Sequence, residues 1–73
     1  MKNWLNKRYV LNGCSQPGRQ WDGSEYIIQH GEIIRCIKTK WFTGALYKLE
    51  SDGRILSIHN SIIDRYFDEI TEV

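Results

Sequence analysis

Between positions 31 and 70 the apolar residues change rhythm. Over residues 45–50 (ALYKLE) they alternate: Ala45, Tyr47 and Leu49 fall on one face, and Leu46, Lys48 and Glu50 on the other. A period of two marks a strand with one buried face. Residues 54–59 (RILSIH) read as the return strand, with Leu56 and Ile58 on one side. Ser51, Asp52 and Gly53 lie between them and predict a hairpin turn, with Gly53 suited to the left-handed backbone region. Beyond position 60 the spacing lengthens. Ile62, Ile63, Tyr66, Phe67 and Ile70 stand at helical intervals, with Asp64, Arg65, Asp68 and Glu69 on the other side. Asn60 and Ser61 are both good N-caps, and Ser61 followed by Asp64 resembles a capping box. A short amphipathic helix packed on the sheet is therefore expected here.

Upstream, residues 7–12 (KRYVLN) predict a first strand ended by the Asn12-Gly13 turn pair. Residues 25–29 (EYIIQ) and 32–38 (EIIRCIK) are strand-like, with His30-Gly31 as a two-residue hairpin between them. In the second of these, Ile33, Ile34, Cys36 and Ile37 populate both faces, which predicts a bulge or a covered outer face. Residues 13–24 hold three of the six glycines and the only proline, and predict one long loop. A second loop spans 39–44, with Trp41 and Phe42 at its tip. Trp4 and Leu5, at the weakly ordered start, are expected to lean on the core.

Strand, long loop, antiparallel hairpins and then a helical turn is an order that resembles SH3-like barrels, including Tudor and KOW-type modules, over residues 7–67. The resemblance rests on the loop placement, the Asp52-Gly53 hairpin and the helical turn after residues 54–59. It implies a mainly β fold: a small antiparallel barrel of about five strands with a short C-terminal helix. A two-layer α+β sandwich, with the helix on an antiparallel sheet, is the alternative. The ALYDY peptide-binding signature of SH3 domains is not present. Ala45-Leu46-Tyr47 echoes it, but stands mid-chain and is followed by Lys48, so no site residue is carried over.

The chain has 73 residues, which fit one domain with its core in 7–70. A domain of this size buries only about 60% of its unfolded surface, so dimerisation would help it. No long apolar run predicts a membrane span, and no secretory signal is evident, so a cytoplasmic location is expected. Cys14 and Cys36 are expected to be free thiols in that compartment, with a single bridge as the alternative. Net charge is only +1, but residues 1–40 carry seven Lys or Arg against three acids, and residues 41–73 three against six. One basic and one acidic pole follow.

Candidate chemistry is sparse. Cys14, His30, Cys36 and His59 lack the close pairing of structural zinc ligands, so no metal is expected. No hydrolase, metalloprotease, phosphate-loop or dinucleotide signature is present, so neither an enzyme nor a cofactor is expected. Aromatic residues offer more. Trp21 and the Trp41-Phe42 pair lie in the two loops expected to flank a binding face, with Tyr26 or Tyr47 as its floor. Exposed aromatics anchor interfaces because they desolvate a large area at little entropic cost. The expected contact surface is Trp21, Trp41, Phe42 and Tyr47, rimmed by Arg19, Lys38 and Lys40. The expected function is non-catalytic binding of a protein partner, as an adaptor, inhibitor or modulator. A viral or mobile-element protein would suit the size and the lack of catalytic residues. The rival expectation is nucleic-acid binding, with Lys2, Lys7, Arg8, Arg19, Arg35, Lys38 and Lys40 forming a basic face and Trp41 stacking on bases. An acidic strip of Asp64, Asp68, Glu69 and Glu72 could instead meet a basic partner.

Overall fold

The computed structural model of the chain describes residues 5–39 and 44–71. In order these form β1 (Arg8–Leu11), β2 (Gln16–Gln20), β3 (Glu25–Ile28), β4 (Ile33–Thr39), β5 (Gly44–Leu49), β6 (Ile55–His59), α1 (Asn60–Tyr66) and β7 (Phe67–Ile70). All seven strands join one antiparallel sheet in the order β3-β2-β6-β5-β4-β1-β7. It curls into a half-barrel, so the chain is mainly β with two more strands than the five expected.

The extra strands are β2 and β7. β2 lies inside the stretch read as a loop, because Pro17 and Gly18 disguise it. Its ladder to β6 covers only Arg19 and Gln20, so Pro17 lies beyond that pairing. Gly18 is buried, and a Cβ there would sit 3.1 Å from a Leu56 side-chain carbon. Glycine lets β2 approach β6 this closely. β7 takes over the end of the expected helix. Helical spacing holds through Ile70, but the helix stops at Tyr66, and Phe67 adopts extended angles (φ −117°, ψ 147°). Its N–H still closes the last helical turn onto the Ile63 carbonyl. Phe67–Ile70 then pairs with β1 and gives that strand a second partner. The sheet ladder outweighed a further helical turn.

Two local expectations also change. His30 and Gly31 form a turn, but β3 and β4 do not pair with each other; β3 pairs with β2, while β4 pairs with β1 and β5. The N-cap of α1 is His59, whose Nδ1 accepts from the Ser61 backbone N–H at 3.1 Å. Neither Asn60 nor Ser61 takes that position.

Other expectations hold. A bulge falls between Cys36 and Lys38, where the register with β5 shifts, so both faces of β4 can carry apolar residues. The β5–β6 hairpin closes through Gly53 at φ 77°. Ala45, Tyr47, Leu49, Leu56 and Ile58 all point inward and are buried, with Leu11, Ile28, Ile34, Cys36, Ile63 and Phe67. Both cysteines are free: Cys14 is exposed and Cys36 buried. Leu5 is half-exposed rather than packed into the core, and Trp4 lies outside the described residues.

Candidate functional site

β2 and β3 form a hairpin whose tip carries Trp21, 92% exposed. Isolated exposed apolar residues are ordinary, but a large aromatic this open on an ordered turn is not. The turn holds itself. The Gln20 N–H donates to the Ser24 carbonyl at 2.8 Å, and the Gly23 N–H to the Gln20 carbonyl at 3.0 Å. Asp22 Oδ1 accepts from the Ser24 N–H at 3.0 Å and from its hydroxyl at 2.6 Å. Those bonds hold the Asp22 carboxyl below its ordinary range. Gly23 completes the turn at φ 90°.

Arg54 braces this hairpin against the neighbouring turn. Its Nε donates to Asp52 at 3.0 Å, and its Nη1 to Gln20 Oε1 at 3.3 Å. Its guanidinium also lies 4.5 Å from the centre of the Tyr26 ring. Tyr26 is half-buried and donates its hydroxyl to Glu32 Oε1 at 3.0 Å, which pushes its ionisation up. Sequence reasoning missed Arg54, whose partners lie on three separate segments. An Arg54→Ala variant should keep Trp21 yet loosen its hairpin. We expect faster amide exchange at residues 20–24 on hydrogen-exchange NMR, with the β4–β5 amides unchanged.

Strand register shows which outward residues share a row. Lys38, Leu46, Ser57 and Arg19 lie side by side across β4, β5, β6 and β2. Lys38 and Arg19 are thus three strand spacings apart, about 14 Å. A second row runs Ile55, Lys48, Arg35, Arg8 and Ile70 across β6, β5, β4, β1 and β7. One residue past Gln20, the β2 register leads from Ile55 toward Trp21. The row therefore begins at the 42%-exposed Ile55, next to the turn that carries Trp21, and runs on through three cations.

Glu50 answers the last of these cations. Arg8 Nε and Nη2 donate to its two oxygens at 2.6 and 2.9 Å. These bonds, with Arg35 adding attraction, hold the Glu50 carboxyl below its ordinary range. Arg8 and Arg35 also border an open depression of about 230 Å³, shared with Lys7 and Glu69, which pair at 3.3 Å.

The expected surface is thus only partly assembled. Trp21, Arg19 and Lys38 are exposed. Lys40, Trp41 and Phe42 lie outside the described residues. Trp21 belongs to the end of the sheet near the β5–β6 turn. Tyr47 is fully buried. Its ring meets Tyr9 edge-on at 6.2 Å between centroids, and its hydroxyl has no hydrogen-bond partner among the described residues. Burial pushes the ionisation of both tyrosines up, that of Tyr9 to about 12.

The acidic strip is split as well. Asp68 and Glu69 sit on β7, Asp64 on α1, and Glu72 lies outside the described residues. Among the described residues no group of His, Cys, Asp or Glu could hold a metal, and no helix is long and apolar enough to cross a membrane. Comparison with protein-family models, with curated proteins and with solved structures gave no significant match.

Proposed function

We propose that this chain is a non-catalytic protein-interaction module that docks through the Trp21 hairpin and the outer sheet face beside it. The observation that carries this reading is Trp21 itself, 92% exposed at the tip of a hydrogen-bonded, glycine-closed turn. An exposed side chain on an ordered turn loses little further entropy when a partner covers it, so most of its burial energy contributes to binding. Ile55 extends the apolar contact, and Arg19 and Lys38 supply a charged rim. Lys40, Trp41 and Phe42 are proposed as a second contact, and Tyr47 is left to the core.

In this reading the fold is an SH3-like barrel in which β2 and β3 form the long hairpin after the first strand. The strand order and the helical turn before the last strand support it. A small adaptor or modulator of a larger protein, acting in the cytoplasm, fits such a scaffold.

A photo-crosslinking residue at position 21 tests the proposal. Irradiation with the partner-containing extract should yield one discrete protein adduct that survives nuclease. The same residue at Arg65, exposed on α1, should yield none. Adducts of equal diversity from both positions would contradict the proposal.

A further inference from the structure

The cation row is arranged against its own stability. Arg8 faces Arg35 directly across the β1–β4 ladder, and Arg35 faces Lys48 directly across the β4–β5 ladder. Like charges placed directly opposite each other on one sheet face repel. Glu50 pairs with Arg8 and also attracts Arg35, while nothing of that kind answers Lys48 among the described residues. Arg35 and Lys48 make no ion pair with any described residue, and both are exposed. A sequence selected for stability alone would place an acid at one of these positions. Local conflicts of this kind mark sites kept for another purpose.

We propose that the Arg35–Lys48 pair receives the carboxylates of an acidic protein segment whose apolar anchor packs on Trp21 and Ile55. Charge complementarity selects an anionic partner. The neighbours of the cations select protein over nucleic acid. Ile55 and Leu46 are interleaved with Lys48, Lys38 and Arg19, giving apolar contacts edged by charge, as in protein interfaces. Among the described residues Trp21 is the one aromatic side chain offered at this surface, whereas single-strand binders stack successive bases on several aromatics. Asp68, on the same face beside Val10, would repel a phosphate backbone that ran on past Arg8. The inference rests on the docking surface proposed above and assigns its partner's chemistry.

The test uses the full chain, isotopically labelled, and three probes. One is a 14-residue peptide with a Leu-Phe anchor followed by glutamates, the second is its Glu→Gln counterpart, and the third is single-stranded oligo-dT. Amide shifts with the acidic peptide should concentrate on β4, β5, β6 and residue 21. The Gln peptide and oligo-dT should bind at least tenfold more weakly. Lys48→Glu should weaken the acidic peptide at least tenfold. It should also raise Tm by about 2–4 °C, because it turns a repulsive cross-strand pair into an attractive one. Tighter binding of oligo-dT, with a steep loss in salt, would overturn the proposal in favour of nucleic acid. Equal binding of the two peptides would overturn it too, while leaving Trp21 docking intact. A fall in Tm on Lys48→Glu would show that the fold already compensates the row, and would remove the premise.

Discussion

Alanine at position 47 should remove a large share of the protein's stability, while phenylalanine at the same position should make it more stable. Tyr47 is the largest fully buried side chain, and it packs edge-on against Tyr9 at the centre of the half-barrel. Removing a buried aromatic ring costs about 3–5 kcal/mol. A domain of this length has roughly 4–11 kcal/mol in total, so the loss is about half of a mid-range value and should lower Tm by more than about 10 °C. The hydroxyl works in the opposite direction. It is buried with no hydrogen-bond partner among the described residues, so it lost water on folding without a compensating bond there. Tyr47→Phe keeps the ring and removes that penalty. We expect a gain of about 1 kcal/mol, or a Tm rise of about 4–8 °C.

The same burial gives a pH signature. The Tyr47 ionisation lies above its ordinary value of 10.0, chiefly through desolvation. The unfolded chain therefore ionises first, so this contribution is intact below pH 10 and is lost as pH rises beyond it. The phenylalanine variant should lose less stability above that pH than the parent. Thermal unfolding followed by circular dichroism reads all three results. An alanine variant with parental Tm would place Tyr47 at the surface, contrary to its packing.

Trp21→Ala should do the reverse: leave the fold alone and remove binding. A side chain 92% exposed contributes almost nothing to the core. Its loss should change stability by no more than about 0.5 kcal/mol. As the anchor of an interface it should cost about 2 kcal/mol or more of binding, roughly a thirtyfold loss of affinity. Trp21→Phe should recover part of that loss, because a smaller ring still fills the contact. Equal losses of Tm and binding would show instead that the hairpin depends on Trp21 for its shape.

The contrast between these two aromatics shows what the sequence could convey. Alternation in residues 45–50 put Tyr47 on one face with Ala45 and Leu49, which is the buried one, and the Asp52-Gly53 turn and the β4 bulge were equally readable. Assigning Tyr47 to the floor of a binding face as well conflicted with that alternation. In a core this small, a ring on the inward face has no room to reach solvent. Local signals failed where tertiary pairing decided the outcome. Pro17 and Gly18 read as loop until β3 pairs with them and β6 with the residues that follow. Phe67 and Ile70 fit a helix until β1 needs a neighbour.

The candidate site was legible in its parts and not in its assembly. Trp21, Arg19 and Lys38 stood out by residue type. Lys48 fell on the face opposite Tyr47 and Ile55 opposite Leu56, but only cross-strand register pairs them with each other and sets Lys48 beside Arg35. Arg54 was hidden because its role depends on Asp52, Gln20 and Tyr26 converging from separate segments.

The most direct test is a nuclease-treated pull-down run in parallel with the parent protein and Trp21→Ala, after both are shown to share one Tm. The account predicts a defined protein partner that is retained by the parent and lost by the variant. A partner retained equally by both, or one that disappears with nuclease treatment, would contradict it.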